Sequence, residues 1–193
     1  MRYLFLSLAL MTVLFFGFQL VGINAEDLVW EGFEGTLDDW VSATWENVGQ
    51  VELSFDSENV SEGKRSLKVV MKEEAIDWKN KVVFSKEDYI NLAEADMVMD
   101  VFSPASTGIA VAVGFDAGSG WTYYESIQKT MKGGWNKDVT FNLGATNFKC
   151  RASDWKYTQA LADREDIRRV HILVYRPSRM TEQIVYIDNI RFK

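Results

Sequence analysis

Apolar residues alternate with polar or small ones along most of this chain, and that period of two is what most restricts its fold. Successive side chains point to opposite faces only in extended backbone, so each such run predicts a half-buried strand. The clearest run is 108–116, where Ile109, Val111, Val113 and Phe115 share one face while Ala110, Ala112 and Gly114 share the other. In 66–72, Leu67, Val69 and Met71 are expected inside, with Ser66, Lys68 and Lys72 outside. Further strands are predicted at 27–33, 49–55, 80–85, 96–103, 137–143, 169–176 and 183–192, with 121–131 as a bent or hairpin segment. Turns of helix are expected only at Asp88 to Ala95 and Thr158 to Asp166. Many short strands bounded by Gly, Asn, Asp and Ser, with no alternation of strand and helix, argue for an all-β, antiparallel β-sandwich. The connection from Gly144 to Arg168 is the one long excursion, and connections of that length usually serve packing or function.

Residues 1–25 stand apart from this pattern. Arg2 is the only charge before Glu26, the run from Tyr3 to Phe18 is almost wholly apolar, and the stretch ends in a small residue, Ala25. A basic start, an apolar centre and a small-residue cleavage site predict a signal peptide and a secreted protein without a membrane partner after cleavage. The alternative is an uncleaved N-terminal anchor. The remaining 168 residues (193 minus 25), 26–193, are expected to form one domain. They need no disulfide, and the single cysteine, Cys150, cannot form an internal one. A formal charge of -7 argues against nucleic acid, whose binders carry a basic excess to offset phosphate. The chain is expected to be monomeric.

Catalytic signatures are sparse. His171 is the only histidine, lies in a strand pattern opposite Val170, Ile172 and Val174, and has no recognisable nucleophile near it in sequence. No Gly-rich phosphate loop, CxxC pair or HExxH zinc motif is present. A small jelly-roll glycosidase is the enzyme alternative, but it needs two carboxylates facing each other across a groove, and no short strand carries such a pair. A cell-surface interaction domain without a sugar site is a further alternative.

Tryptophan gives the stronger signal. Seven tryptophans exceed what one sandwich core needs, and an exposed indole can stack on the apolar C–H face of a sugar ring. Trp30, Trp40, Trp135 and Trp155 read as core, cap, edge plug and loop fastener respectively. Trp45, Trp78 and Trp121 each lie where a polar or small-residue loop meets a strand, so either an exposed or a buried ring fits the pattern. The row Ala110, Ala112 and Gly114 would leave a depression on the outer face of a sheet. At the chain ends, Asp188 falls on a face shared with Ile184, Tyr186, Ile190 and Phe192, and Glu34 would be its neighbour if the first and last strands pair. Two such carboxylates with turn carbonyls suit calcium, and a salt bridge to Arg is the alternative.

Phe33-Glu34-Gly35 with Trp40, then Gly63-Lys64-Arg65-Ser66-Leu67-Lys68-Val69, then Tyr186-Ile187-Asp188-Asn189-Ile190 together resemble the carbohydrate-binding modules of secreted polysaccharide-degrading enzymes. That resemblance implies a jelly-roll, galactose-binding-domain-like sandwich without catalysis, with Glu34 and Asp188 as ligands to a structural calcium ion. Trp40 to Trp45, Asp77-Trp78 and Gly120-Trp121 are most similar to carbohydrate-binding module family 27. This implies a β-1,4-mannan or manno-oligosaccharide as partner, stacked on Trp45, Trp78 and Trp121. Asp77, Lys81, Tyr123 and Arg176 are the candidate polar contacts.

Overall fold

The computed structural model describes residues 28–43, 49–72, 80–104, 108–176 and 182–193. Within them lie thirteen strands and only single turns of 3-10 helix: β1 (Leu28–Glu31), β2 (Trp40–Ser42), β3 (Gly49–Ser54), β4 (Ser66–Met71), β5 (Lys81–Ile90), β6 (Met97–Ser103), β7 (Ala110–Ala117), β8 (Thr122–Ser126), β9 (Lys129–Thr130), β10 (Gly134–Phe141), β11 (Phe148–Lys149), β12 (Ile167–Tyr175) and β13 (Gln183–Phe192). One sheet runs β10-β6-β13-β4-β3, with β1 on β13; the other runs β11-β8-β7-β12-β5-β2, with β9 on β7. Every pairing is antiparallel, so the fold is the all-β sandwich that the alternation predicts.

The inner faces meet in one core. Leu67, Val69 and Met71 of β4 face Val111, Val113 and Phe115 of β7 across it, among Phe84, Met97, Met99, Ile172 and Ile187. Trp40 is buried in this core, and Cys150 is a buried free thiol. Trp30 packs on Trp40 edge to face with centroids 5.8 Å apart, and its indole N–H donates to Asp88 at 2.7 Å.

Neither expected helical stretch forms. β5 continues to Ile90 because its partner β12 begins at Ile167, opposite Ile90, and the ladder supplies bonds that a short helix would have to nucleate alone. Residues 158–166 are irregular, with Gln159 bridged to Phe148 and a turn only at Arg164 and Glu165. Asp188 keeps the face of Ile184 and Tyr186, but that face is the outer one, opposite Val185 and Ile187 of the core. A bulge between Asp188 and Arg191 puts Asn189 in the left-handed region (φ 50°) and reverses the alternation, so it is Ile190 that leaves the predicted face and enters the core.

Two bulges flank β6, and buried carboxylates satisfy the N–H groups they free. Asp138 in the β10 bulge donates its backbone N–H to Asp100 at 2.9 Å, and Asn189 donates its own to Asp188 at 2.7 Å. Asp100 also accepts from the Ser61 hydroxyl and lies 3.3 Å from the Lys137 ammonium.

Candidate glycan-binding groove

The outer face of the β11-β8-β7-β12-β5-β2 sheet carries a groove. Its axis follows from the ladder registers, which align Lys149, Glu125, Gly114, His171, Ser85 and Val41 in one row across six strands. Five inter-strand spacings make that row roughly 24 Å long. A second row, Tyr123, Asp116, Arg169 and Glu87, runs beside it. Trp155 and Lys149 line one end; Asp39, Val41 and Ala43 line the other; Arg169 and His171 are common to both halves. Beside the first row lies an apolar cluster of Val83, Ala110, Ala112, Leu173 and Tyr175, distinct from the inter-sheet core.

Small residues make the middle of the groove. A Cβ at Gly114 would stand 3.2 Å from the Cβ of His171 and 3.2 Å from the ring and hydroxyl of Tyr123, tighter than ordinary carbon contacts. Glycine there lets the Tyr123 and His171 rings approach to 5.2 Å, edge to face. Ala110 and Ala112 share that face but are buried in the apolar cluster and do not line the groove, so the depression expected over the whole run is confined to Gly114.

Both central carboxylates carry cationic partners. His171 Nε2 lies 3.1 Å from Asp116 Oδ2, and Arg169 lies 3.3 Å from the same oxygen. Glu125 is buried; its Oε1 accepts from the Tyr175 hydroxyl at 2.6 Å, the Lys149 ammonium at 2.7 Å and the Tyr157 hydroxyl at 3.4 Å, and its Oε2 accepts from the Tyr123 hydroxyl at 3.1 Å. Burial, and then the Glu125 charge, push the Tyr123 and Tyr157 phenols above their ordinary pKa. Lys149 is likewise shifted up, because its hydrogen bond and ion pair with Glu125 outweigh burial, which acts against the charge.

The sequence candidates divide accordingly. Lys81 and Tyr123 line the groove. Trp121 sits at its margin: half-buried, left-handed (φ 52°), with Tyr89 at 6.4 Å and the Arg168 and Arg169 guanidiniums 5.7 and 5.1 Å from its ring. Arg176 is buried past the end of β12, where its backbone N–H donates to Asn80, and is not in the lining. Trp45, Trp78 and Asp77 lie outside the described residues.

Trp155, read as a loop fastener, is 53% exposed at the groove. Asp116, Glu125, Lys149, Arg169, His171 and Tyr175 were not singled out as binding residues. Alternation along β12 did carry a signal, since Arg169, His171, Leu173 and Tyr175 all fall on the outward face. Asp116 and Glu125 come from adjacent strands, so no pattern within one strand could pair them.

Glu34 and Asp188 meet the same turn. Glu34 Oε1 accepts the N–H groups of Lys64 at 2.7 Å and Arg65 at 3.0 Å, and those bonds hold its carboxyl below the usual range despite opposing desolvation. Asp188 Oδ2 accepts from Ser61 at 2.7 Å and Glu62 at 3.0 Å. The turn thus presents N–H groups rather than carbonyls to both, and among the described residues no three His, Cys, Asp or Glu side chains cluster where they could hold a metal ion. Calcium takes six to eight oxygens, so the fit extends to two ligands and not to a complete shell.

No family model and no curated protein matches the chain by sequence. Solved structures match by fold. The family 11 carbohydrate-binding module of the Clostridium thermocellum cellulosomal cellulase Lic26A-Cel5E superposes with a TM-score of 0.57 at 13% identity, over 86% of this chain and 94% of that one. A non-crystalline cellulose specific module, CBM28, gives 0.58 at 14% over 87% and 94%. TmCBM61, solved in complex with beta-1,4-galactotriose, gives 0.52 at 14% over 88% and 99%. Identities this low establish architecture alone. The chain has the β-sandwich fold of these carbohydrate-binding modules.

Proposed function

We propose that this protein is a secreted, non-catalytic polysaccharide-binding protein that holds a glycan chain in the groove on its β11-β8-β7-β12-β5-β2 sheet. The observation that carries this is the six-residue row: an extended groove with aromatic rings, small residues and hydrogen-bonding side chains suits a linear oligosaccharide better than a compact metabolite. Among the fold relatives, the family 11 module has been solved with a beta-1,3-1,4-mixed-linked tetrasaccharide, which supports a β-linked chain as the ligand class. The resemblance to family 27 favours β-1,4-mannan, with Trp45, Trp78 and Trp121 extending the aromatic contacts. The Trp121 backbone supports a role for that ring, because a left-handed non-glycine costs about 1–2 kcal/mol and such strain collects at functional sites.

Non-catalysis is supported by the carboxylates. Asp116 and Glu125 do face one groove, which favours the glycosidase reading more than the sequence did. However, a catalytic pair needs one acid free to protonate a leaving oxygen, and here cations and hydroxyls occupy both.

The test is isothermal titration calorimetry with mannohexaose, cellohexaose, a mixed-linkage glucan oligosaccharide and β-1,4-galactotriose. Saturable heat with at least one is expected, and mannohexaose alone would carry the mannan assignment. Trp155→Ala should weaken binding about tenfold or more, since covering a large apolar side chain is worth about 1.5–3 kcal/mol. Its melting temperature should barely move, because the ring is half in solvent. Wild-type protein that is folded yet silent toward every glycan would sink the reading.

Calcium at Glu34 and Asp188 is the second part of the proposal, supported by two carboxylates meeting one short turn. A bound ion at 100 times its dissociation constant adds about 2.7 kcal/mol. Millimolar calcium should therefore raise the melting temperature by several degrees, and Glu34→Gln should abolish that increment. An unchanged melting temperature would assign both carboxylates to their backbone N–H bonds alone.

A further inference from the structure

Four elements converge on one buried carboxylate in the groove. Tyr123 comes from β8, Tyr175 from β12, Lys149 from β11 and Tyr157 from the connection after β11, and each donates to Glu125. Three of these donors share Oε1 and the fourth takes Oε2, and a side chain this buried leaves a substrate hydroxyl little access to the rest of Oε2. Glu125 therefore does not read the ligand itself. It is 2% exposed, on a strand whose other neighbour is Gly114 at the middle of the groove.

Of the rings it tethers, Tyr123 lines the groove, Tyr175 is buried in the apolar cluster beside it, and Tyr157 is half-buried against Lys149. Tyr123 lies 5.2 Å from His171 and 6.3 Å from Trp155, the most exposed aromatic of the site. Tyr157 carries the Lys149 ammonium at 5.1 Å, and Tyr175 carries that of Lys81 at 5.4 Å. Phenol rings rotate about two side-chain bonds, and ordering them on a ligand costs about 0.5–1.5 kcal/mol per side chain. A shared acceptor removes that cost before the ligand arrives.

We infer that Glu125 is the positioning residue of the groove, a clamp that gathers three tyrosine hydroxyls and one ammonium so that the rings form one rigid wall for a bound sugar chain. The inference rests on the groove reading above and adds a specific dependence to it. With its hydroxyl turned onto Glu125, the Tyr123 ring, backed by the other two, can offer a sugar only its face and C–H edges, so this wall takes pyranoses through their apolar face. Recognition of sugar hydroxyls falls to Arg169, Lys81 and Ser85, which lie on the same sheet face.

The test compares wild type, Glu125→Gln and Tyr175→Phe by calorimetry with the tightest glycan of the panel and by phenolate absorbance on raising the pH. Glu125→Gln should bind at least tenfold more weakly, although the side chain does not touch the sugar. Its tyrosines should ionise at lower pH than those of wild type, because the negative charge beside their hydroxyls is gone; a purely structural role would not move that titration. Tyr175→Phe keeps the ring, removes one tether and should fold even if Glu125→Gln does not, with a smaller loss of affinity. Unchanged affinity in a folded Glu125→Gln or Tyr175→Phe protein would overturn the clamp. A wild type that binds no glycan would instead defeat the groove reading, and the phenolate titration would still decide: unshifted ionisation in Glu125→Gln means that Glu125 holds no tyrosine.

Discussion

Gly114→Val abolishes glycan binding while the sandwich still folds. The position sits at the centre of the groove row, between Glu125 on β8 and His171 on β12. A Cβ alone would press on the Tyr123 ring, the Tyr123 hydroxyl and the His171 Cβ at 3.2 Å each, and valine adds two further methyl groups that must point into the groove. The Tyr123 and His171 rings have to separate, which pulls the Tyr123 hydroxyl off Glu125 and narrows the cleft at its middle. Overpacking of this kind costs about 1–3 kcal/mol of stability, and valine suits a strand, so the fold survives. Affinity should fall at least a hundredfold, about 2.7 kcal/mol. Calorimetry with the best glycan, alongside a thermal melt, checks it. Undiminished binding by a folded Gly114→Val protein would mean that the ligand lies elsewhere.

Asp188→Ala should be the most destabilising single change on the other sheet. The carboxylate is fully buried and accepts the N–H groups of Ser61, Glu62 and Asn189. Alanine leaves three part-buried donors without an acceptor, and each such loss costs about 1–3 kcal/mol, toward the low end where water can reach the N–H. A total of about 3–5 kcal/mol is expected, a large share of the 5–15 typical of a domain. Asn at this position keeps an acceptor oxygen and should cost less. Urea unfolding in calcium-free buffer measures both, and a loss under about 1 kcal/mol for alanine would show that the turn re-forms its bonds elsewhere.

The neighbouring acids give this pair a pH signature. Burial holds the Asp188 carboxyl above its ordinary value of 3.8, outweighing its three N–H bonds, and the Asp100 charge adds to the rise. Asp100 is also opposed by burial, but the Ser61 hydroxyl, the Asp138 N–H and Lys137 hold it below 3.8. A raised carboxyl contributes stability that is present below its unfolded pKa and is lost as pH rises through the folded one; a depressed carboxyl contributes stability that is lost as pH falls through its folded value. In wild type the two slopes oppose each other. Asp188→Asn removes the first, so on acidification from neutral pH toward about pH 4 it should lack the gain in stability that wild type draws from protonating Asp188.

Much of the fold could be read from the chain because alternation is a local signal. Ile109, Val111, Val113 and Phe115 identify a strand and its buried face without reference to any partner, and Val111, Val113 and Phe115 are fully buried in β7. The errors came where a partner strand overruled local preference. Residues 88–90 join β5 because β12 lies opposite them, and Ile190 changes face beyond a bulge whose freed N–H the Asp188 carboxylate accepts.

The site was legible only in outline. Ala110, Ala112 and Gly114 declare a small-residue face within one strand, but only Gly114 lies in the groove row while the two alanines are buried beside it, and of the polar candidates Lys81 and Tyr123 fall in the groove lining. The row through Lys149, Glu125, Gly114, His171 and Ser85 joins residues from five strands distant in sequence, and the pairing order that aligns them has no expression in any single segment. By itself, therefore, the sequence determined the strands, the faces they bury and the aromatic wealth of the chain, because those depend on neighbours one or two residues away. Which outward-facing residues share a groove, and which carboxylate ties the tyrosines together, was decided only when antiparallel registers brought distant strands to within about 5 Å of one another.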